Sequence, residues 1–200
     1  IIENSNFTDQ TAQAMYLFLE STTSIAGVYL TMNNITLTDN VEGIKINANT
    51  NRPLEWNITT ATFHGNGVYD YTNGGAIRLD FFENMSWRLQ DVLLDQNSAK
   101  NGGAIYVNMQ DATPNVQHTV TCIMNNVNFT GNQASFNGGA AFLYYGGATY
   151  DLDWRLISTR VERNIAKFGG FAWSNVATSH ITMDTSHVKD NQATGQAVGQ

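Results

Sequence analysis

Two segments decide the fold: Leu94-Asp-Gln-Asn97 and Gly102-Gly-Ala-Ile-Tyr-Val-Asn108. The first places an apolar residue three positions before an amide, and this pattern occurs seven times along the chain. The spacing between copies varies from 26 to 35 residues, which indicates a repeated core with loops of variable length. The copies are Phe7–Gln10, Leu37–Asn40, Phe63–Asn66, Leu94–Asn97, Phe129–Asn132, Val161–Asn164 and Val188–Asn191.

Upstream of each copy, apolar residues recur at fixed positions. They lie seven, five and two residues before the apolar anchor; for Phe63 these are Trp56, Ile58 and Ala61. Alternation with a period of two is typical of strands, so the pattern predicts strands with one apolar face. The alternation changes phase once, between the last two of these positions, which predicts a bend between two short strands.

The glycine pair opens a third alternating segment. Clear copies start at Gly74, Gly102, Gly138 and Gly169, and weaker ones are Gly43–Asn47 and Met15–Phe18. Three short strands cannot close a core alone, but coiling them so that like strands pair in parallel buries one continuous core. A helical solenoid would instead need apolar residues at i, i+3, i+4 and i+7.

The sequence therefore predicts an all-β, single-stranded parallel β-helix of six to seven rungs, with three short strands per rung. It predicts a single domain over residues 1–200, right-handed because parallel crossovers prefer that sense. The amide of each repeat is predicted to stack between rungs and to bond backbone groups at the turn. These turn amides are Asn40, Asn66, Asn97, Asn132, Asn164 and Asn191.

Composition excludes several classes of function. The net charge of −7 argues against nucleic acid as a partner, and no apolar run is long enough to insert in a membrane as a helix. No metal or cofactor motif is present, so we expect neither. The single cysteine, Cys122, cannot form an intrachain disulfide and stands in a column otherwise held by tryptophan, so it is predicted to be an apolar filler.

The pairing of FxxN, as in Phe129–Asn132, with GGA[ILV], as in Gly102–Ile105, resembles the repeats of the chlamydial polymorphic outer-membrane proteins. Full double motifs occur around residues 63–77, 94–105 and 129–141. That resemblance implies a right-handed β-helix passenger domain of an exported surface protein with an adhesive role. Fold transfers well from such a repeat and biological role transfers poorly.

One outward position of the third strand carries a ladder of aromatic and cationic residues. It could form a binding surface for sugar rings or for a protein, and it could equally stabilise the sheet through neighbours on the same face. The hypothesis assigns binding to Tyr106, Phe142 and Trp173, with Arg78. The whole column is Tyr16, Lys45, Arg78, Tyr106, Phe142 and Trp173.

A polysaccharide-degrading enzyme is the alternative function, because carbohydrate-active enzymes also use this fold. Such an enzyme needs two or three acids converging on one face. Asp80 aligns with amides, and Asp151 and Asp153 are predicted to lie in a solvated loop that could bind Ca²⁺. We therefore predict no catalytic residues and no resident metal.

Five N-x-[ST] sequons are candidate glycosylation sites: Asn6, Asn34, Asn57, Asn84 and Asn128. All but Asn84, in a loop, fall in outward positions. The long insertions near residues 109–119 and 145–153 are predicted contact sites, since loops vary while rungs stay fixed.

Neither end of the chain resembles a polar cap, which favours either an excerpt of a longer solenoid or a subunit that stacks end to end into filaments. The expected protein is secreted or displayed on the cell surface. Its role would be structural or adhesive, with protein or glycan partners.

Overall fold

The computed structural model describes residues 1–21, 28–50, 53–81, 84–109, 117–145, 149–174 and 178–195. Within these ranges every regular element is a β-strand, and every strand pair is parallel. The strands coil into an all-β parallel solenoid of about five turns. The predicted fold class is confirmed at this level.

Three sheets run along the solenoid. Sheet A contains β1 (Ile2–Thr8), β3 (Val28–Thr38), β5 (Leu54–His64), β7 (Met85–Asp95), β10 (Gln117–Thr130), β13 (Thr149–Ile157), β14 (Arg160–Glu162), β17 (Thr178–Asp184) and β18 (His187–Lys189). Sheet B contains β2 (Gln13–Ser21), β4 (Glu42–Thr50), β6 (Ile77–Phe81), β9 (Ile105–Met109), β12 (Ala141–Tyr145) and β16 (Ala172–Ser174). Sheet C contains β8 (Ser98–Asn101), β11 (Gln133–Asn137), β15 (Ile165–Ala166) and β19 (Gln192–Ala193).

Sheet C is shorter than the repeat pattern predicts. The rungs that begin at β7, β10 and β13 contribute to all three sheets, whereas the described parts of the earlier rungs contribute strands to sheets A and B only. Between β5 and β6 the backbone leaves the extended region at Gly65, Gly67 and Asp70, with φ of 64°, 94° and 70°. A strand cannot continue through three left-handed residues, so that part of the rung is a loop.

The inward columns form one continuous core. In β5, Trp56, Ile58 and Phe63 are completely buried and Ala61 is buried as well, while the polar residues between them reach the surface. Trp56 stacks on Trp87 of the next rung, with ring centroids 6.3 Å apart and planes 10° apart. The core is therefore built rung on rung from like positions, as the column pattern predicts.

Cys122 lies in the tryptophan column, paired in register with Trp87 on one side and Trp154 on the other. It is completely buried, and this burial raises the pKa of its thiol well above the usual 9.0. The thiol is thus held neutral among apolar side chains, consistent with an apolar filler.

The predicted bend is a single left-handed residue three positions before each anchor, within β1, β3, β5, β7 and β10 and in the short gaps between β13 and β14 and between β17 and β18. Its φ lies between 47° and 55° in all seven copies. Asparagine and aspartate tolerate this conformation well, whereas a β-branched residue such as Thr60 is strained there. The column is Asn4, Asn34, Thr60, Asp91, Asn126, Ser158 and Thr185.

The two glycines of each pair have different roles. Gly102 has a φ of 62°, so it supplies the left-handed conformation that the turn requires. Gly103 does not have a positive φ, but a Cβ there would approach within 2.6 Å of the Gln133 carbonyl oxygen. The first glycine is therefore needed for its left-handed backbone conformation. The second is needed because the neighbouring backbone leaves no room for a Cβ atom.

The turn amides form a continuous ladder. At Asn66, Nδ2 donates to Leu37 O at 2.8 Å and to Asn97 Oδ1 at 3.1 Å. Its Oδ1 accepts from the backbone N of Asn40 at 3.2 Å and from Asn40 Nδ2 at 2.7 Å. All four capacities of the amide are thereby used, and Asn66 is completely buried.

The same bonds repeat upward through Asn97, Asn132 and Asn164, all completely buried. At the last described rung Asn191 accepts from Asn164 and donates to Val161 O at 2.8 Å. The ladder satisfies backbone groups at the turn that strand pairing leaves open, which is the structural role that the sequence predicts for it.

Candidate interaction surfaces

The outer ladder lies on sheet B in the predicted register. Tyr16 pairs with Lys45, Lys45 with Arg78, and Arg78 with Tyr106. The column then continues through Phe142 to Trp173. Six side chains from six strands therefore stand in one line along the solenoid.

Rings and cations contact each other along this line. The Phe142 ring stacks between Tyr106 at 5.4 Å and Trp173 at 5.0 Å, with planes 20° and 18° apart. Arg78 Cζ lies 5.6 Å from the centre of the Tyr106 ring, and Lys45 Nζ lies 5.3 Å from that of Tyr16. These are stacking and cation–π geometries.

The expectation of an exposed aromatic surface is wrong for the middle of the ladder. Tyr106 retains 8% of its accessible surface and Phe142 retains 4%. The stacked rings cover each other's faces, and Tyr144 packs 6.2 Å from Phe142. Trp173 and Arg78 remain half-buried. A sugar ring therefore cannot stack on the face of Phe142 in this arrangement.

The other half of the ladder carries a compact charged network. Arg78 Nε donates to Asp80 Oδ2 at 2.8 Å, and Asn108 Nδ2 donates to Asp80 Oδ1 at 2.8 Å. Glu42 lies nearby, and burial raises the pKa of its carboxyl above 4.5, partly offset by Gln13, Arg78 and Lys45. Opposite charges in this network neutralise one another within sheet B.

A second amide ladder, which the repeat pattern did not predict, lies at the end of sheet C. Asn101 Nδ2 donates to Asn73 Oδ1 at 2.9 Å, and Asn137 Nδ2 donates to Asn101 Oδ1 at 3.0 Å. These residues directly precede the glycine pairs, so the signal that could have revealed them is the recurrent Asn-Gly-Gly. The ladder connects the end of sheet C to the turn into sheet B.

Four of the described acids bind polar side chains of neighbouring residues or rungs. Asp80 is bound as above, Asp91 Oδ1 accepts from Asn126 Nδ2 at 2.7 Å, and Asp95 Oδ2 lies 2.8 Å from His64 Nδ1. Arg160 Nε bonds Glu162 at 2.8 Å and lowers the pKa of that carboxyl. Each of these four acids thus has a polar partner of its own.

The prediction that Asp151 and Asp153 lie in a loop is wrong. Both belong to β13, where Asp153 accepts from Arg155 Nη2 at 2.7 Å. The apolar residues Leu152, Trp154 and Leu156 alternate with them and point inward, which makes the segment a strand. Among the described residues, no three His, Cys, Asp or Glu side chains group closely enough to hold a metal ion.

Four sequon asparagines form a side-chain hydrogen bond. Asn34 Nδ2 donates to Asn4 Oδ1, Asn57 Nδ2 donates to Glu55 Oε1, and Asn6 Oδ1 accepts from Thr8 Oγ1. Asn84 precedes β7 and accepts from the backbone N of Thr119 at 2.7 Å. The sequon asparagines are exposed or half-exposed: Asn6, Asn34, Asn57, Asn84 and Asn128.

The predicted contact loops, residues 109–119 and 145–153, lie partly outside the described residues, at positions 110–116 and 146–148. The flanking segments belong to strands, because β10 begins at Gln117 and β13 begins at Thr149. Their role in contacts stays a prediction.

Across the described ranges the chain forms no helix that could cross a bilayer.

The register, the amide ladder and the glycine turns define a parallel β-solenoid repeat protein. Within it, residues 91–108 match the Chlamydia polymorphic membrane protein (Chlamydia_PMP) repeat. This stretch contains Leu94–Asn97 and Gly102–Ile105, one of the three double motifs that resemble the repeat, so the resemblance is confirmed there. No curated protein and no solved structure matches the chain.

Proposed function

We propose that this chain is a rigid adhesive segment displayed on a cell surface. The observation that carries the proposal is that the repeated residues are all engaged in holding the coil together. The turn amides bond one another, the inward columns pack, and the glycines permit close turns. The outer face is therefore free to vary, as expected of a scaffold whose contacts differ from rung to rung.

The matched repeat supports a surface location. Residues 91–108 are similar to a repeat of a chlamydial membrane protein, and a solenoid projects its outer face along its whole length. We propose the coil to be right-handed, the sense that parallel crossovers prefer, and to have six to seven rungs when its partial turns are counted.

Binding at the aromatic end of the outer ladder is proposed for its accessible member Trp173 together with Tyr144, a neighbour of the ladder. Trp173 and Tyr144 reach the surface beside the buried Phe142, so they can contact a partner through ring edges. Replacing both by serine tests this role and keeps the contact between Tyr106 and Phe142, and circular dichroism checks that the fold is unchanged. Unchanged attachment to cells would contradict it.

Self-association along the solenoid axis is a further part of the proposal. Ile181 and Met183 each retain 48% of their surface and Val188 retains 42%, although all three occupy inward columns. Rungs of a second copy would bury these groups. Sedimentation velocity over a range of concentrations should show growing species; one monomeric boundary throughout would contradict stacking.

An attachment assay tests the adhesive function. Beads coated with the folded chain should bind cultured epithelial cells about tenfold more than beads coated with the heat-denatured chain. This control has the same composition and charge but lacks the ordered outer face. Equal attachment by both coatings would overturn the proposal.

Glycosylation is proposed for the five sequons if the protein is made in a host that modifies them, because their side chains reach the surface. Intact mass before and after glycosidase treatment tests it. An unchanged mass after production in such a host would contradict it.

A further inference from the structure

A pocket lies on the outer face of sheet A near the beginning of its strands. Its volume is about 360 Å³, which lies within the range of small-molecule sites. Its floor includes the buried residues Leu54 and Met85. We call it the edge pocket, and its polar lining is Tyr29, Glu55, Asn84, Ser86, Thr119 and Thr121.

Strand register builds the outer wall of the edge pocket. Tyr29 pairs with Glu55, and Glu55 pairs with Ser86. Ser86 pairs with Thr121 in the next rung. Four side chains from four strands therefore form one line along the solenoid, separated by about 4.8 Å per rung.

The aromatic wall is open to solvent. Tyr29 retains 74% of its accessible surface, in contrast to the covered rings of the outer ladder. Glu55 is also exposed, and Asn57 Nδ2 donates a long bond of 3.4 Å to its Oε1. A carboxylate offers about four acceptor positions, so Glu55 retains capacity for a ligand.

The opposite wall is held in place by an amide. Asn84 Oδ1 accepts from Thr119 N at 2.7 Å, which fixes the orientation of the amide and leaves its NH₂ group as a donor. The hydroxyls of Ser86, Thr119 and Thr121 can both donate and accept. Donors and acceptors thus surround an apolar floor.

The charge of the lining selects the ligand. Among the described residues that line the edge pocket there is no lysine, arginine or histidine, and Glu55 is the one carboxylate. The Glu55 carboxylate would repel an anionic ligand, so phosphates and acidic sugars are disfavoured. A neutral pyranose has an apolar C–H face that can pack on Tyr29 and hydroxyls that match the carboxylate, amide and hydroxyl groups.

We propose that the edge pocket binds one neutral hexose unit of a glycan. This inference rests on the proposed adhesive function and names the chemical class of its ligand. The ring of Tyr29 provides the stacking platform, while Glu55 and Asn84 bind hydroxyls on opposite sides of the sugar.

Binding to defined oligosaccharides tests the inference. The chain is produced in bacteria so that Asn84 carries no glycan, and it is titrated with neutral trisaccharides of glucose, galactose, mannose and N-acetylglucosamine. At least one should bind, and Tyr29→Ala should weaken it by about tenfold or more. Glu55→Gln should weaken it by about threefold to tenfold, since an amide still accepts one bond.

Tyr71→Ala is the matched control, because Tyr71 is 84% exposed and lies outside the pocket. Its affinity should stay within about twofold of the unmodified chain. Circular dichroism should show unchanged folding, since all three positions are exposed. No binding of any neutral trisaccharide, an unchanged affinity of Tyr29→Ala, or stronger binding of sulfated or sialylated sugars would overturn the inference.

The bead assay separates this inference from the proposed function. Attachment of the unmodified chain to cells, without binding of neutral sugars, would overturn the edge pocket as a sugar site and leave the adhesive function standing. Absence of attachment by the unmodified chain would overturn the adhesive function itself. Loss of both sugar binding and attachment in Tyr29→Ala would support both.

Discussion

The turn-amide ladder and the outer ladder are both columns of stacked side chains, but they restrict residue identity differently. From Asn40 to Asn191 every position of the first is asparagine, whereas the second changes from Tyr16 through Lys45 and Arg78 to aromatic rings. The amides make directional bonds to backbone groups, which few side chains can reproduce. Ring stacking and cation–π contacts are less directional, so several residue types serve.

This difference indicates which columns of the solenoid can carry binding residues. A column whose members must bond the backbone cannot change without loss of the fold. A column on the outer face, such as Tyr29, Glu55 and Ser86, has no such duty and can acquire binding groups. Regularity in this chain therefore marks structure, and irregularity on the outer face marks candidate binding sites.

Breaking the amide ladder should have the largest effect. Asn97→Ala removes the acceptor of Asn66 N and Nδ2 and the donor to Phe63 O and Asn132 Oδ1. Since each buried polar group left without a partner costs about 1–3 kcal/mol, we expect a loss of about 4 kcal/mol or more. Urea unfolding followed by circular dichroism measures it.

Gln10→Ala is the control for this variant, because Gln10 holds the same repeat position but is exposed and bonds only Thr8 O through its side chain. Its loss should stay within about 0.5 kcal/mol. Similar losses at both positions would contradict a stabilising role for the buried amides.

Substitutions in the glycine turns should have the next largest effect on stability. A Cβ at Gly103 would collide with backbone atoms of Gln133, so Gly103→Ala should lower stability by about 3 kcal/mol. At Gly131 the nearest atom would be Gln96 Cγ at 3.7 Å, so Gly131→Ala should cost only about 1 kcal/mol, from its left-handed backbone. Thermal melting of the two variants compares them, and equal shifts would argue against lack of space at Gly103.

Truncating the outer ladder should have a smaller effect. Phe142→Ala removes a ring that is covered by Tyr106 and Trp173, and we expect a loss of about 2 kcal/mol. Phe142→Leu keeps much of the apolar volume and should cost less than about 1.5 kcal/mol. If Phe142→Leu instead abolished attachment to cells while the fold stayed intact, the ladder would be a binding surface rather than a stabilising one.

Most of the fold could be predicted from the sequence, because strand alternation and the turn amide are local patterns. The phase change before Phe63 indicates the bend, which the structure places at Thr60 with a φ of 52°. The loop between Gly65 and Asp70 could not be predicted in the same way. Three left-handed residues there replace the sheet C strand that the later rungs form.

The surfaces were harder to predict than the core. Alternation predicts whether a side chain points outward. The burial of Phe142, however, depends on the rings of Tyr106 and Trp173 in the rungs directly before and after it. The edge pocket depends on register as well, since Tyr29 and Thr121 are far apart in sequence. Their shared column, eight residues before the anchor, becomes visible only when the rungs are aligned.

The smallest expected effect is at the charged half of the outer ladder, where burial raises the pKa of Glu42 above 4.5. A carboxyl whose pKa is higher in the folded state binds protons more tightly there, so its contribution to stability falls as pH rises through that raised pKa. Glu42→Gln removes this titration. The variant should therefore gain stability relative to the unmodified chain between about pH 4 and about pH 7.

Urea midpoints at both pH values measure this difference, with Glu55→Gln as the control because Glu55 is exposed. Glutamine at position 42 can still bond Gln13 but loses the attraction to Arg78 and Lys45, which opposes the gain. If the relative stability of Glu42→Gln fell as pH rose, attraction to these cations would outweigh burial. The charged half of the ladder would then depend on ion pairing, as its aromatic half depends on stacking.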